Sequence, residues 1–219
     1  VAGPGATLAT AAADDRLFLI DHELLADIPC RSTPDMDFFG IPLDDSTAQQ
    51  RYLPAPFALF WRAGDGEASR LLPAAIQLGR DPDQFEVFTP ADGEEVWSKV
   101  KMLYLTGEFN THEMATHLSG VHFLLEGFAV AARRTLHLHH PITHLFDVHL
   151  DLVLWNNFLG RQTLTNPEGF TEQLLPGELE AGSYEIMRRH YAQWTVRDLD
   201  LPAELAARGV LDTDALPVY

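Results

Sequence analysis

Apolar residues recur at spacings of three and four from about Glu94 to Leu136, a stretch without a single proline. Within it, "VWSKVKMLYLTGEF" and "HLSGVHFLLEGFAVAARRTL" both carry the period of an α-helix with an apolar face. Gly107, Gly120 and Gly127 lower helical propensity locally without interrupting the pattern. A helix this long in a chain of 219 residues is expected to be the central element, packed on most sides. It should stop before Pro141, which disfavours helical geometry at His140. A second helical pattern runs from about Ile142 to Leu164 and a third from Gly182 to Trp194. A short helix in "PAELAARG" closes at Gly209.

The first half reads differently. "RLFLIDHELL" (Arg16 to Leu25) opens with a short apolar run suited to a strand, and Ile28 to Asp45 is Pro- and Asp-rich, as loops are. "APFALFWRA" and "SRLLPAAIQLG" are strand candidates on either side of "GDGE" (Gly64 to Glu67), whose Asp-Gly signals a hairpin. The expected fold is mainly α, with a small antiparallel hairpin or three-stranded sheet near the N-terminus. Residues 1–15 are small-residue filler, expected to be flexible or processed. Residues 16–90 should be strands and loops, and residues 94–219 helical.

Composition narrows the function. A net charge of −17 argues against nucleic acid, whose phosphates would be repelled. No apolar run is long enough for a transmembrane helix. Cys30 stands alone, so no intrachain disulfide can form. No Gly-rich phosphate loop and no Gly-x-Ser-x-Gly elbow is present. Histidine is the outlier: of ten, eight fall between His112 and His149.

Three of these, His112, His117 and His122, are spaced by five. On a regular α-helix five residues advance about 500°, leaving the side chains roughly 140° apart and unable to share an ion. A widened π-turn of about 4.4 residues would bring the pair within roughly 50°, and such turns concentrate at functional sites. Paired imidazoles on one face suit iron, zinc or copper.

The surrounding text resembles the metal-binding segment of lipoxygenases. In "HEMATHLSGVHFLLEGFAVAARRTLHLHHPI", His112, His117 and His122 meet the family's His-x4-His-x4-His run. Glu126 follows four residues on, then the aromatic Phe128, and later His-Pro-Ile at His140 to Ile142. "WSKVKMLY" is similar to the family's Trp-x-x-x-Lys approach, and "VHLDLVLWNNFLGRQTLT" to its Asn-x-x-x-Arg segment at Asn157 and Arg161. "LFLIDHELLADI", "YLPAPFALFW", "LLPAAIQLG", "LPAELAARGV" and "LPVY" match in order, so the likeness covers nearly the whole chain after Asp14.

The resemblance implies a partial lipoxygenase catalytic domain with a long central helix. His112 and His117 would be ligands of non-haem iron, with manganese as the alternative. His122 and His140 would be structural. Leu118, Val121 and Leu154 would line an apolar channel, and Trp155 would stand where the family carries a small pocket residue. The implied reaction is dioxygenation, by O₂, of a polyunsaturated fatty acid to a hydroperoxide. His137, His139 and His144 are expected to be exposed or locally bonded, and His22 and His190 to lie at the surface. Glu113 and Glu126 make poor third ligands on a regular helix, at about 100° from His112 and 180° from His117 respectively. The family's later ligands, a third histidine, an Asn or His, and a terminal carboxylate, have no counterpart before Tyr219. The expectation is therefore that this chain is inactive alone. A second polypeptide, or the remainder of a longer chain, would complete the site. The alternative is a catalytically inactive lipoxygenase-like remnant serving as a binding module.

Overall fold

The computed structural model describes residues 7–32, 51–65 and 69–210. In chain order they form helix α1 (Leu8–Ala13), strands β1 (Leu17–Asp21), β2 (Phe57–Ala63), β3 (Arg70–Gln77) and β4 (Val87–Phe88), then helix α2 (Glu94–Asn110). A π-helical segment, Thr111–Phe123, continues α2 without a break into α3 (Leu124–Thr135). Next come α4 (Pro141–His149), α5 (Val153–Thr163), α6 (Phe170–Leu174), a second π segment (Leu179–Tyr184), α7 (Glu185–Gln193) and α8 (Leu201–Ala207). No helix among the described residues is long and apolar enough to cross a membrane.

The chain divides into two compact units. One holds Val1–Ala26, Pro54–Gly107 and Gln193–Tyr219; the other holds Asp27–Leu53 and Glu108–Ala192. In the first, the sheet runs β1-β2-β3-β4, antiparallel throughout. The expected hairpin pairs Phe57 with Gln77 at one end and Ala63 with Arg70 at the other. Part of its turn, residues 66–68, lies outside the described residues. The pairing shifts register between Leu59 and Phe60, opposite Pro73, which has no N–H to give the ladder. The sheet has four strands, not two or three. β4 is two residues long, too short to leave a periodic signature.

Trp97, Val100 and Tyr104, at helical spacing on α2, pack with Ala58, Ile76 and Leu78 of the sheet side, and Phe60, Phe85 and Phe88 close the edges. Gly107 has a packing role here, because a Cβ would sit 2.8 Å from the Pro56 ring. His22 is not the surface residue expected. It is 4% exposed, with its ring centroid 5.6 Å from that of Tyr104. In the N-terminal stretch, Leu8–Ala13 form a helix capped by the Thr7 hydroxyl, which accepts from the Thr10 N–H.

In the second unit, Met114, Ala115, Leu118 and Ser119 are the buried residues of the long π segment. The Tyr191 hydroxyl of α7 donates to the Ser119 carbonyl at 2.8 Å. The helix expected from Ile142 to Leu164 is two helices. Leu152 sits in the left-handed region (φ 61°), which turns the chain between α4 and α5. The third pattern starts earlier than expected, as a π segment in which Gly182 lies against Gly177. Arg31 and Arg51 cap the C-terminal end of α6. Arg31 Nη1 donates to the Glu172 carbonyl at 2.7 Å, and Arg51 to Leu175 at 2.7 Å and Gln173 at 2.8 Å. Most of the loop expected over Ile28 to Asp45 falls outside the described residues, as does "LPVY". α8 ends as expected, with Gly209 in the left-handed conformation (φ 69°).

Candidate metal centre

Thr111–Phe123 is where the five-residue spacing acquires its meaning. The segment bonds i to i−5: the Leu124 N–H reaches the Ser119 carbonyl, and the Ser119 hydroxyl donates to the Met114 carbonyl at 2.7 Å. Residues five apart therefore share a face. The His112 and His117 rings stack, 5.8 Å between centroids and 11° from parallel. His122 follows, edge-on to His117 at 4.8 Å. The widened helix that the lipoxygenase resemblance implied is present.

Donor atoms of His112, Glu113 and His117 all lie within 4.8 Å of one another, the group of this kind found among the described residues. Glu113 is the residue that sequence reasoning discounted. Its angle to His112 was the wrong measure, because Glu113 lies four residues before His117, and its Oε2 is 3.0 Å from His117 Nδ1. The signal was present as Glu-x-x-x-His. On the other side, the Thr116 hydroxyl donates to the His112 carbonyl at 3.0 Å and lies 3.3 Å from His112 Nδ1. Two imidazoles with their Nδ1 atoms engaged, beside a carboxylate, form a donor set that fits iron or manganese.

His122 is drawn into a different arrangement. Its Nδ1 donates to Asn157 Oδ1 at 3.1 Å, and Asn157 Nδ2 donates both to the His122 carbonyl (2.8 Å) and to Glu126 Oε2 (2.9 Å). Arg161, one turn along α5, donates to the same Glu126 oxygen at 2.5 Å and stacks over Phe123. The Arg161 hydrogen bond, helped by Asn157, holds the Glu126 carboxyl below its usual range against the opposing effect of burial. Glu126 is thus committed away from the histidine pair. The elements of the sequence pattern, His122, Glu126, Asn157 and Arg161, prove to be one network fastening α5 to the histidine helix.

Of the other expected residues, Leu118 is buried and lines a cavity of about 60 Å³ with His117, His122, Phe123 and Gly160. That is far below the ~300–1,000 Å³ of most ligand pockets. Val121, Leu154 and Trp155 do not line it. Trp155 is 56% exposed and stacks on Phe158, 5.6 Å between centroids. His140 caps α4, its Nδ1 accepting the Ile142 N–H. His137 accepts from the His139 N–H, and His149 Nδ1 bonds the Leu145 carbonyl. His190 is half-buried rather than at the surface, its ring beside Tyr191 and close to Gly120.

Residues 4–216 match the lipoxygenase family. The chain is a lipoxygenase family member. It is 34% identical over 210 residues to hydroperoxide isomerase ALOXE3 of Rattus norvegicus, covering 95% of this chain and 27% of that protein. The human ALOXE3 is 35% identical over 204 residues, covering 93% and 26%. Among solved structures, a calcium-dependent 11R-lipoxygenase superposes with a TM-score of 0.82 at 28% identity, over 97% of this chain and 29% of that one. The manganese lipoxygenase of Gaeumannomyces graminis shares the fold, with a TM-score of 0.73 at 22% identity. This lipoxygenase sequence therefore spans about a quarter of the length of the relatives it matches. Its family is metal-dependent, and the five-spaced histidines are the matched chain's own candidate donors.

Proposed function

We propose that this chain carries two metal ligands, His112 and His117, of a non-haem iron dioxygenase that converts polyunsaturated fatty acids and O₂ to hydroperoxides. The observation that carries the reading is the π segment, which sets both imidazoles on one face with a stacked separation of 5.8 Å. Iron, when bound, would supply the one-electron redox chemistry that hydrogen removal from a cis,cis-1,4-pentadiene needs. The chain's part is to fix the ligand rings and to keep the reacting carbon in an apolar setting. Leu118, next to His117, would be a wall of that setting. Val121, Leu154 and Trp155 would join it against surfaces contributed by the rest of the fold. Those surfaces and the remaining ligands would come from further lipoxygenase sequence, on the same or a second polypeptide, consistent with the share of the relatives that this chain spans.

A second reading has its own support. The relatives at 34% and 35% identity are named hydroperoxide isomerases, and one at 29% is named an allene oxide synthase-lipoxygenase protein. The same site would then act on a fatty-acid hydroperoxide rather than on the fatty acid.

The test is made on the natively purified protein. Intact-mass analysis reports any accompanying polypeptide, and elemental analysis reports iron and manganese. Iron near one per chain, lost in His112→Ala and His117→Ala, supports the ligand assignment. Retention of metal by both variants overturns it. Oxygen uptake with linoleate separates dioxygenase from isomerase, because the isomerase consumes linoleate hydroperoxide without taking up O₂.

A further inference from the structure

The hydrogen bonds around the histidine pair follow one rule: each ring's Nδ1 is engaged by a side chain four residues away in the same π segment. His117 Nδ1 meets Glu113 Oε2 at 3.0 Å, and His112 Nδ1 lies 3.3 Å from the Thr116 hydroxyl oxygen. That hydroxyl already spends its proton on the His112 carbonyl, so its oxygen is left to accept. A carboxylate can only accept, so at His117 the bond assigns the proton to Nδ1 and leaves the Nε2 lone pair available. Histidines that ligate metals commonly donate their other N–H to a carboxylate in this way, which fixes tautomer and ring plane and makes the nitrogen a better donor.

We infer that Glu113 is a positioning residue for His117 rather than a metal ligand, with Thr116 as its weaker counterpart at His112. The inference rests on the proposal that His112 and His117 hold the metal. Glu113 reaches His117 because the pair lies at i, i+4, while His117 reaches His112 at i, i+5; a single widened segment satisfies both spacings. Its side chain is only a quarter exposed, so water competes weakly for the bond. Glu126 cannot substitute, since its carboxylate is held by Arg161 and Asn157.

The experiment uses the full natively purified protein, stripped of metal and reloaded with Cu(II), in wild-type, Glu113→Gln, Glu113→Ala and His112→Ala/His117→Ala forms. Chelator competition gives the Cu(II) affinity. Pulsed electron paramagnetic resonance reads the remote imidazole nitrogen, which senses whether its N–H meets a carboxylate. The expectation for Glu113→Ala is an affinity about 10- to 100-fold weaker, with Glu113→Gln in between. The remote-nitrogen signal should shift in both, with the number of directly bound nitrogens unchanged. Loss of a directly bound oxygen in Glu113→Gln without a shift of the remote nitrogen would make Glu113 a ligand and overturn the inference. Unchanged affinity and spectrum in Glu113→Ala would overturn it as well. A wild-type Cu(II) spectrum in the His112→Ala/His117→Ala form would instead sink the underlying ligand assignment, and the inference with it.

Discussion

Asn157→Leu is the perturbation that most directly tests how the histidine helix is held. Asn157 is 2% exposed and makes three hydrogen bonds, two donated by Nδ2 and one accepted by Oδ1. Leucine keeps the branched shape of asparagine and is bulkier, so the change removes polar contacts without opening a cavity. Glu126 keeps Arg161, so its carboxylate is not orphaned and its share of the loss is about 1 kcal/mol. His122 loses one partner at its ring and one at its carbonyl, each worth about 1 kcal/mol. The sum is about 3 kcal/mol, a large part of the ~5–15 kcal/mol that keeps ordinary proteins folded. Urea denaturation should show a midpoint lower by about 1–3 M at an unchanged slope, given the usual ~1–3 kcal/mol/M. Hydrogen exchange should localise the loosening to amides 111–126. A loss under about 1 kcal/mol, or faster exchange confined to other segments, would refute the view that this network fastens α5 to the histidine helix.

Two further predictions follow from single contacts. The Glu126 carboxyl is held below its ordinary value of 4.5 by Arg161, so its contribution to stability is complete above that pH. The contribution is lost as pH falls through the lower folded-state value, because the unfolded chain takes up the proton first. The gap in urea midpoint between wild type and Glu126→Gln should therefore be widest near neutrality and shrink below pH 4.5; a gap independent of pH would contradict the assignment. Gly182→Ala would place a Cβ 3.0 Å from the Gly177 backbone, which has no flexible end to give way. It should cost about 1–3 kcal/mol as overpacking does, read as a lower thermal midpoint, and an unchanged midpoint would show that the second π segment can open there.

Sequence alone determined whatever depends on residues within a turn or two of each other. The five-residue histidine spacing left open whether the rings meet; the resemblance to lipoxygenases implied a widened turn, and the π segment formed over Thr111–Phe123. The hairpin of β2 and β3 and the continuous helix from Glu94 to Thr135 follow from period and turn chemistry. Even Glu113 was legible, as a residue four before His117 and so its neighbour on any helix, regular or widened. The break at Leu152 was not: a leucine carries no signal for the left-handed conformation, which costs about 1–2 kcal/mol unless surrounding packing imposes it. β4 exists through its pairing with Ile76 and Gln77, and His22 is buried through its place against Tyr104, 82 positions along the chain. The tie between His122 and Asn157 spans 35 positions. The sequence names both residues, but only the folded chain makes them partners, because no periodicity along one element records what another element will meet.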